Sequence, residues 1–252
     1  MSSDDPIAFA VIGGTGMTEI EGLEVLHREV VHTPYGEPSG QVTHGVIGGQ
    51  RIAFLARHGY THNIPPHKVN YRANIWALKS LGVEKVVAIA AVGGITAHMK
   101  PETLIIPDQI IDYTYGRNHT FYEEGLNAVT HIDFTYPYCE NMRQALLQAG
   151  KQASVDLVAG GTYAATQGPR LETAAEIRRL ERDGSDLVGM TAMPEAALAK
   201  EAGLSYATCA VVANWAAGKN GAEIITLDDI RQHLQAGMAQ VRSLLKDLSV
   251  DA

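Results

Sequence analysis

Asn214 stands at the end of an apolar run, residues 207–213, with Trp215-Ala-Ala-Gly behind it. An amide side chain offers two donors and two acceptor lone pairs. At the tip of a buried segment it is suited to reading the edge of a polar heterocycle. Arg57-His58 follows a second expected strand, residues 50–56, apolar from Ile52 onward. The guanidinium fork matches phosphate oxygens, and the imidazole can add one more contact. Gly13-Gly-Thr-Gly16 follows a third run, residues 7–12. Its glycines let backbone N–H groups turn toward an anion, and Thr15 adds a hydroxyl. Thr191 lies just ahead of a helix expected from Pro194, where a hydroxyl and free N–H groups can meet an anion. Glu172 stands at the entry of another expected helix and can accept a hydrogen bond from a ligand. Each group also has a plain explanation: a tight turn, a surface arginine, a helix cap, a carboxylate complementing a helix dipole. Taken together, they suit a site for phosphate and a polar heterocycle.

Elements must carry these groups to one place. Residues 7–12, 50–56, 86–92, 103–106 and 207–213 read as buried strands, without polar alternation. Residues 186–188 form a further short apolar strand. Residues 71–81 space Ile75, Leu78 and Leu81 on one helical face. Further helices are expected at 173–181, at 194–201 with Pro in the first turn, and at 228–248, capped near Thr226. Strands alternating with helices predict an α/β fold: a single domain over residues 1–252, with a central mixed, twisted, partly barrel-like sheet flanked by helices. Several strands end in GGTG, RHG, VGG or ANW, and open α/β sheets bind ligands outside the carboxyl ends of their strands. The four turns are expected to converge.

Composition narrows the classes. The chain has 252 residues, 46% hydrophobic and 19% charged, with a formal net charge of −8. That describes a globular chain without the basic stripe of a nucleic-acid surface. No stretch reaches the ~18 apolar residues of a membrane span, and the N-terminus lacks the basic and apolar regions of a signal peptide. A cytoplasmic location is expected. Cys139 and Cys209, the two cysteines, are expected to be free thiols rather than a disulfide. G-G-T-G does not fit the dinucleotide fingerprint G-x-G-x-x-G, which argues against NAD. His58, His62 and His67 match no zinc spacing, and no metal is expected there.

Six motifs in order, VIGGTG, TPYGEPS, LARHG, HKVNYRANIWALK, GPRLET and GMTAMPEAALAKE, resemble the trimeric purine nucleoside phosphorylases. The resemblance is closest to the branch of methylthioadenosine and methylthioinosine phosphorylases and runs from Ile7 to about Leu245. It implies phosphorolysis: phosphate attacks C1′ of a nucleoside and the purine leaves. Inorganic phosphate is then a co-substrate, and no cofactor is implied. Thr15, Arg57, His58 and Thr191 match the family's phosphate ligands, and Ala91 lies in the matching phosphate turn. Met190 matches the residue beneath the ribose and Leu171 the one beside the base. Leu227 matches the lining of the 5′ pocket. His131 matches a residue that enters the site of a neighbouring subunit, which implies a homotrimer.

In the adenine-specific branch, aspartates match Asn214 and Ala216, and a serine matches Glu172. This sequence departs at all three positions and resembles the readers of 6-oxopurines. The chemistry agrees. A 6-oxopurine carries a proton on N1 that Glu172 can accept, whereas adenine N1 would set lone pair against lone pair. Asn214 can donate to O6 or N7 of the departing base, and Ala216 offers nothing to the amino group of adenine. Glu172 and Asn214 are therefore the expected catalytic pair, with Trp215 and Ala216 beside them in the base turn. Asp228 stands where the general inosine enzymes bond the 5′-hydroxyl through a histidine, with apolar Leu227 and Ile230 around it. That favours S-methyl-5′-thioinosine as substrate. The alternatives are inosine or guanosine, methylthioadenosine, and a purine or phosphate binder without activity.

Overall fold

In the computed structural model, which describes residues 6–124, 128–221 and 224–250, the apolar runs form the middle of one mixed sheet. Its 11 strands among the described residues are β1 (Phe9–Gly13), β2 (Glu24–Glu29), β3 (Val42–Ile47), β4 (Gln50–Ala56), β5 (Lys85–Gly94), β6 (Leu104–Ile106), β7 (Gln109–Asp112), β8 (Leu157–Ala159), β9 (Thr162–Ala165), β10 (Leu187–Gly189) and β11 (Ser205–Trp215). Among the described residues five α-helices flank it: α1 (Tyr71–Ser80), α2 (Glu140–Gln152), α3 (Ala174–Arg182), α4 (Ala192–Glu201) and α5 (Leu227–Asp247).

The sheet runs β2-β3-β4-β1-β5-β10-β9-β7, and β11 branches from β5 and continues through β6 to β8. β5 is the fork. Its first half pairs with β1, its last two glycines pair with β10, and β11 follows it along its whole length. β1, β4, β5 and β11 are mutually parallel where they pair, so their carboxyl ends open on one side, as the turn pattern predicts.

Both faces of the sheet are covered, which explains why its central strands read as unbroken apolar runs. Ala10 and Ile12 pack on one face with Ile75 and Leu78 of α1 and Leu198 of α4. Phe9 and Val11 pack on the other with Met142 and Leu146 of α2 and Leu234, Met238 and Val241 of α5. α3 closes a smaller cluster of Ile95, Ala164, Ile177 and Val188.

The expected strands and helices are all present, with ends shifted by a residue or two. α4 shows how local chemistry sets a boundary. Met193 has non-helical angles, φ −117° and ψ 137°, because the residue before a proline is pushed out of the helical region. Its regular turns therefore begin at Pro194. α5 is capped by Thr226, whose hydroxyl accepts from the Asp229 N–H at 3.2 Å. Cys139 and Cys209 are free thiols.

Candidate active site

The four strand-end turns meet in a cavity of about 570 Å³. Gly14 and Thr15 come from the end of β1, Arg57 and His58 from β4, and Ala91 to Gly93 from β5. Met190 and Thr191 follow β10, and Asn214 and Ala216 come from the end of β11. Leu171 and Glu172 enter from the loop before α3, and Ile225, Leu227 and Ile230 from the start of α5.

Arg57 is the most constrained of these groups. It is 1% exposed and bonds Glu195 of α4 in a two-pronged pair, Nε to Oε2 at 2.6 Å and Nη2 to Oε1 at 2.7 Å. Nη1 donates to the Ile89 carbonyl at 2.9 Å. A guanidinium has five N–H groups, so one on Nη1 and one on Nη2 remain for a ligand. Burial works against its charge, but Glu195 more than offsets that and raises its pKa. Tyr206 donates to Glu195 Oε1 at 2.8 Å, so the carboxylate is itself held. Glu195 lies in one of the six motifs, yet nothing in sequence spacing links it to Arg57, 138 positions away. The close approach of β1 also matters. A Cβ on Gly14 would lie 2.4 Å from the Ile89 oxygen and 3.0 Å from Arg57 Nη1, so only glycine fits.

His58 presents an acceptor to the cavity. Its Nδ1 lies 2.8 Å from the Ile64 carbonyl. A carbonyl only accepts, so Nδ1 carries the hydrogen. Burial first, and Arg57 second, push the ring pKa down to about 4. The neutral ring leaves Nε2 as an acceptor, fitted to a phosphate hydroxyl rather than to a bare oxygen. Thr15 Oγ1 approaches His62 Nε2 at 3.5 Å, and His62, kept toward neutral by burial, also lines the cavity. Sequence reading weighed His62 only as a metal ligand. Among the described residues, His58, His62 and His67 form no group with metal-ligand spacing.

Thr191 occupies the N-cap position of α4, but its side chain makes no capping bond. It is 7% exposed and lines the cavity, with its side chain beside the buried Tyr163 hydroxyl. Glu172 likewise does not serve its helix. Thr173 and Glu176 form the capping box of α3, and Glu172 stands one residue ahead of it. Glu172 Oε1 accepts from Thr166 Oγ1 at 2.6 Å, which fixes the carboxylate and leaves its second oxygen available.

The pairing of β11 with β5 slips between Val212 and Asn214, which sets Asn214 opposite Gly93. Such bulges re-aim side chains beside sites. Asn214 Nδ2 donates to the Trp215 carbonyl at 2.7 Å, which orients the amide and leaves one N–H and the oxygen for a ligand. Arg117 was not legible as a site residue. It is 8% exposed and donates to the carbonyls of Met190, Met193 and Gln167 at 2.8, 2.6 and 2.9 Å. It thereby ties the loop ahead of Glu172 to the turn carrying Thr191.

Of the expected site residues, two are not brought to the cavity. Trp215 lines a separate hollow with Ile95, Lys100 and His233, because side chains alternate along a strand and its neighbours Asn214 and Ala216 take the inward positions. His131 is exposed and does not line the cavity of its own chain.

A cavity at the carboxyl ends of parallel strands, lined by an ion-paired arginine together with a carboxylate and an amide, is what this α/β fold assembles. The Phosphorylase superfamily matches residues 8–249, and the chain belongs to it, which bears out the family resemblance of the motifs. A probable S-methyl-5′-thioinosine phosphorylase of Xanthomonas campestris is 53% identical over 247 residues, 98% of this chain and 99% of that protein. The 6-oxopurine nucleoside phosphorylase of Pyrococcus furiosus is 50% identical over 220 residues, 85% of this chain and 82% of that one. Among solved structures, methylthioadenosine phosphorylase of Schistosoma mansoni with adenine has a TM-score of 0.92 at 33% identity, covering 96% of this chain and 90% of that chain.

Proposed function

We propose that the chain catalyses the reversible, phosphate-dependent cleavage of a 6-oxopurine nucleoside, with S-methyl-5′-thioinosine as its substrate and hypoxanthine and 5-methylthioribose 1-phosphate as products. A phosphate oxygen forms the bond to C1′ while the C1′–N9 bond breaks and its electron pair passes to the purine, which takes up the proton that the phosphate gives up and leaves as neutral hypoxanthine. The two free N–H groups of Arg57 and the hydroxyls of Thr15 and Thr191 hold the phosphate, whose own hydroxyl donates to His58. Ala91 belongs to the phosphate turn, Met190 lies beneath the ribose, and Leu171 flanks the base. Glu172 accepts from N1–H, and the remaining N–H of Asn214 bonds the base where negative charge develops, an effect worth about 3–4 kcal/mol per donor in comparable sites.

The observation that carries this reading is the meeting, in one cavity with Arg57, of Glu172 and Asn214 without an acidic residue at Ala216. The fold is shared with methylthioadenosine phosphorylase of Schistosoma mansoni in complex with adenine or methylthioadenosine, so architecture does not choose the base. The base-reading side chains do, and relatives named for 6-oxopurine substrates, such as those of Xanthomonas and Pyrococcus, support them.

Ile225, Leu227 and Ile230 line the cavity at the start of α5 and suit a methylthio group better than a 5′-hydroxyl. General turnover of inosine and guanosine is the second reading, favoured by the relatives named 6-oxopurine nucleoside phosphorylase. The enzyme works as a homotrimer in which His131 reaches the neighbouring subunit's cavity, and it serves purine salvage in the cytoplasm. Among the described residues, no helix is long and apolar enough to cross a membrane.

The test is release of hypoxanthine from methylthioinosine with and without phosphate. Release that requires phosphate is expected. Absence of release from methylthioinosine, inosine, methylthioadenosine and adenosine alike would mean a binder without activity.

A further inference from the structure

His27 and Glu29 lie two residues apart on β2, the edge strand, and His44 lies opposite His27 on β3. Alternation puts residues i and i+2 of a strand on one side, and the directly opposite residue of an antiparallel partner joins them. Regular pairing would not achieve this here. The register shifts between Val25 and His27, so Leu26 is the extra residue, and His27 is set opposite His44 in its place. Bulges re-aim side chains and concentrate beside binding sites.

The result is a compact set of metal-ligating groups. The His27 and His44 rings stack with centroids 4.3 Å apart and 7° between planes. His44 Nε2 is 3.0 Å from Glu29 Oε2, and one ligand atom from each of the three residues lies within 4.8 Å of the others. His44 is 2% exposed, and its Nδ1 is buried without a hydrogen-bond partner. A buried ring with one nitrogen unpartnered is unusual, and its polar bonding rests on the side that faces Glu29.

We propose that His27, Glu29 and His44 bind one divalent transition-metal ion of the zinc type, which clamps the β2–β3 edge hairpin. Two imidazoles and a carboxylate are a ligand set that zinc accepts, with water completing four-coordination. The ion takes the place of the hydrogen between His44 Nε2 and Glu29, and the ring stays neutral by carrying its hydrogen on the buried Nδ1. Ring-nitrogen lone pairs lie in the ring plane, so the stacked rings do not yet aim at one point, and the exposed His27 ring turns out of the stack to bind. Ligand atoms around tetrahedral zinc stand about 3.3 Å apart, so the set also contracts by roughly 1.5 Å at its widest, a movement open to exposed His27 and half-buried Glu29. Arg51, opposite Val46 on β4, acts electrostatically on His44 and weakens the site. A dissociation constant on the order of micromolar is expected, well short of tight structural zinc sites. None of the three residues lines the active cavity, so the ion's role is structural.

The test uses untagged, chelator-treated full-length protein titrated with Zn²⁺ by calorimetry and with Co²⁺ by absorption. One equivalent of Zn²⁺ is expected, with tetrahedral Co²⁺ bands and no thiolate charge-transfer band. His27→Ala and Glu29→Gln each weaken binding on the order of tenfold or more and leave metal-free phosphorolysis unchanged. No binding at micromolar Zn²⁺, native affinity retained in both variants, or a thiolate spectrum from Cys139 would overturn the site.

Discussion

His58 and Ile64 bond each other twice: the Ile64 N–H donates to the His58 carbonyl at 3.1 Å, and His58 Nδ1 donates to the Ile64 carbonyl at 2.8 Å. This reciprocal pair closes the loop after β4 and fixes the tautomer of the ring. It also holds the ring where burial and Arg57 depress its pKa to about 4. In the unfolded chain an ordinary histidine titrates near 6.5, so the unfolded state binds the proton first as pH falls. The stability contributed by neutral His58 is complete above about pH 6.5 and is lost on the way down to about pH 4, with an upper limit of roughly 3 kcal/mol. Urea unfolding of the phosphate-free protein and of His58→Gln across this range checks it. The variant should show a shallower acid loss, and parallel curves would contradict the assignment.

Glu195 is expected to matter twice. Removing one partner of a buried ion pair typically costs about 3–5 kcal/mol, because the other charge is left uncompensated. Glu195→Gln should therefore lower the unfolding midpoint strongly. If Arg57 faces the phosphate, the dianion supplies the missing counter-charge, and saturating phosphate should raise the midpoint of the variant more than that of the native protein. Equal phosphate-induced shifts in both would place the anion away from Arg57.

The 5′ end should discriminate more weakly than the base end. Apolar pockets separate substrates by about 10- to 200-fold, so methylthioinosine should exceed inosine in kcat/KM by a factor in that range. Leu227→Ala should lower kcat/KM for methylthioinosine several-fold and leave inosine nearly unchanged. A parallel loss on both substrates would mean that Leu227 does not meet the 5′ group.

Much of this site is legible in the sequence because its residues punctuate apolar strands. GGTG, Arg57-His58 and Asn214 stand out where a buried run stops, and the strands parallel to β5 carry them to one side. What supports them is harder to see. Glu195 reads as an ordinary residue in the first turn of a helix, and only the fold sets it against Arg57. Arg117 lies in a stretch without regular structure, so no periodicity marks it. The edge strands were equally silent. β2 carries Glu24, His27, Arg28 and Glu29 in six residues, as an exposed edge requires, and β8 has only three residues. α2 has no side-chain cap and contains Gly150, which removes the usual helix signals. Trp215 shows the converse error, in which a conspicuous residue beside a reader is assumed to share its role, although strand alternation turns it away.

Asn214→Asp should remove most turnover of 6-oxopurine nucleosides. The change replaces the donor to the leaving base with an acceptor and sets a second carboxylate in the cavity with Glu172. Loss of one such donor costs about 10²–10³ in kcat. Steady-state rates with methylthioinosine check this, and an unchanged kcat would remove Asn214 from the chemistry.

The choice of a keto base over an amino base is tested most directly by the ratio of kcat/KM for methylthioinosine to that for methylthioadenosine, measured in the same phosphate buffer. Sites that hydrogen-bond a substrate group reject analogues lacking it by about 10⁴ or more, and a ratio of that order in favour of methylthioinosine is expected. A ratio at or below unity would contradict the roles of Glu172 and Asn214.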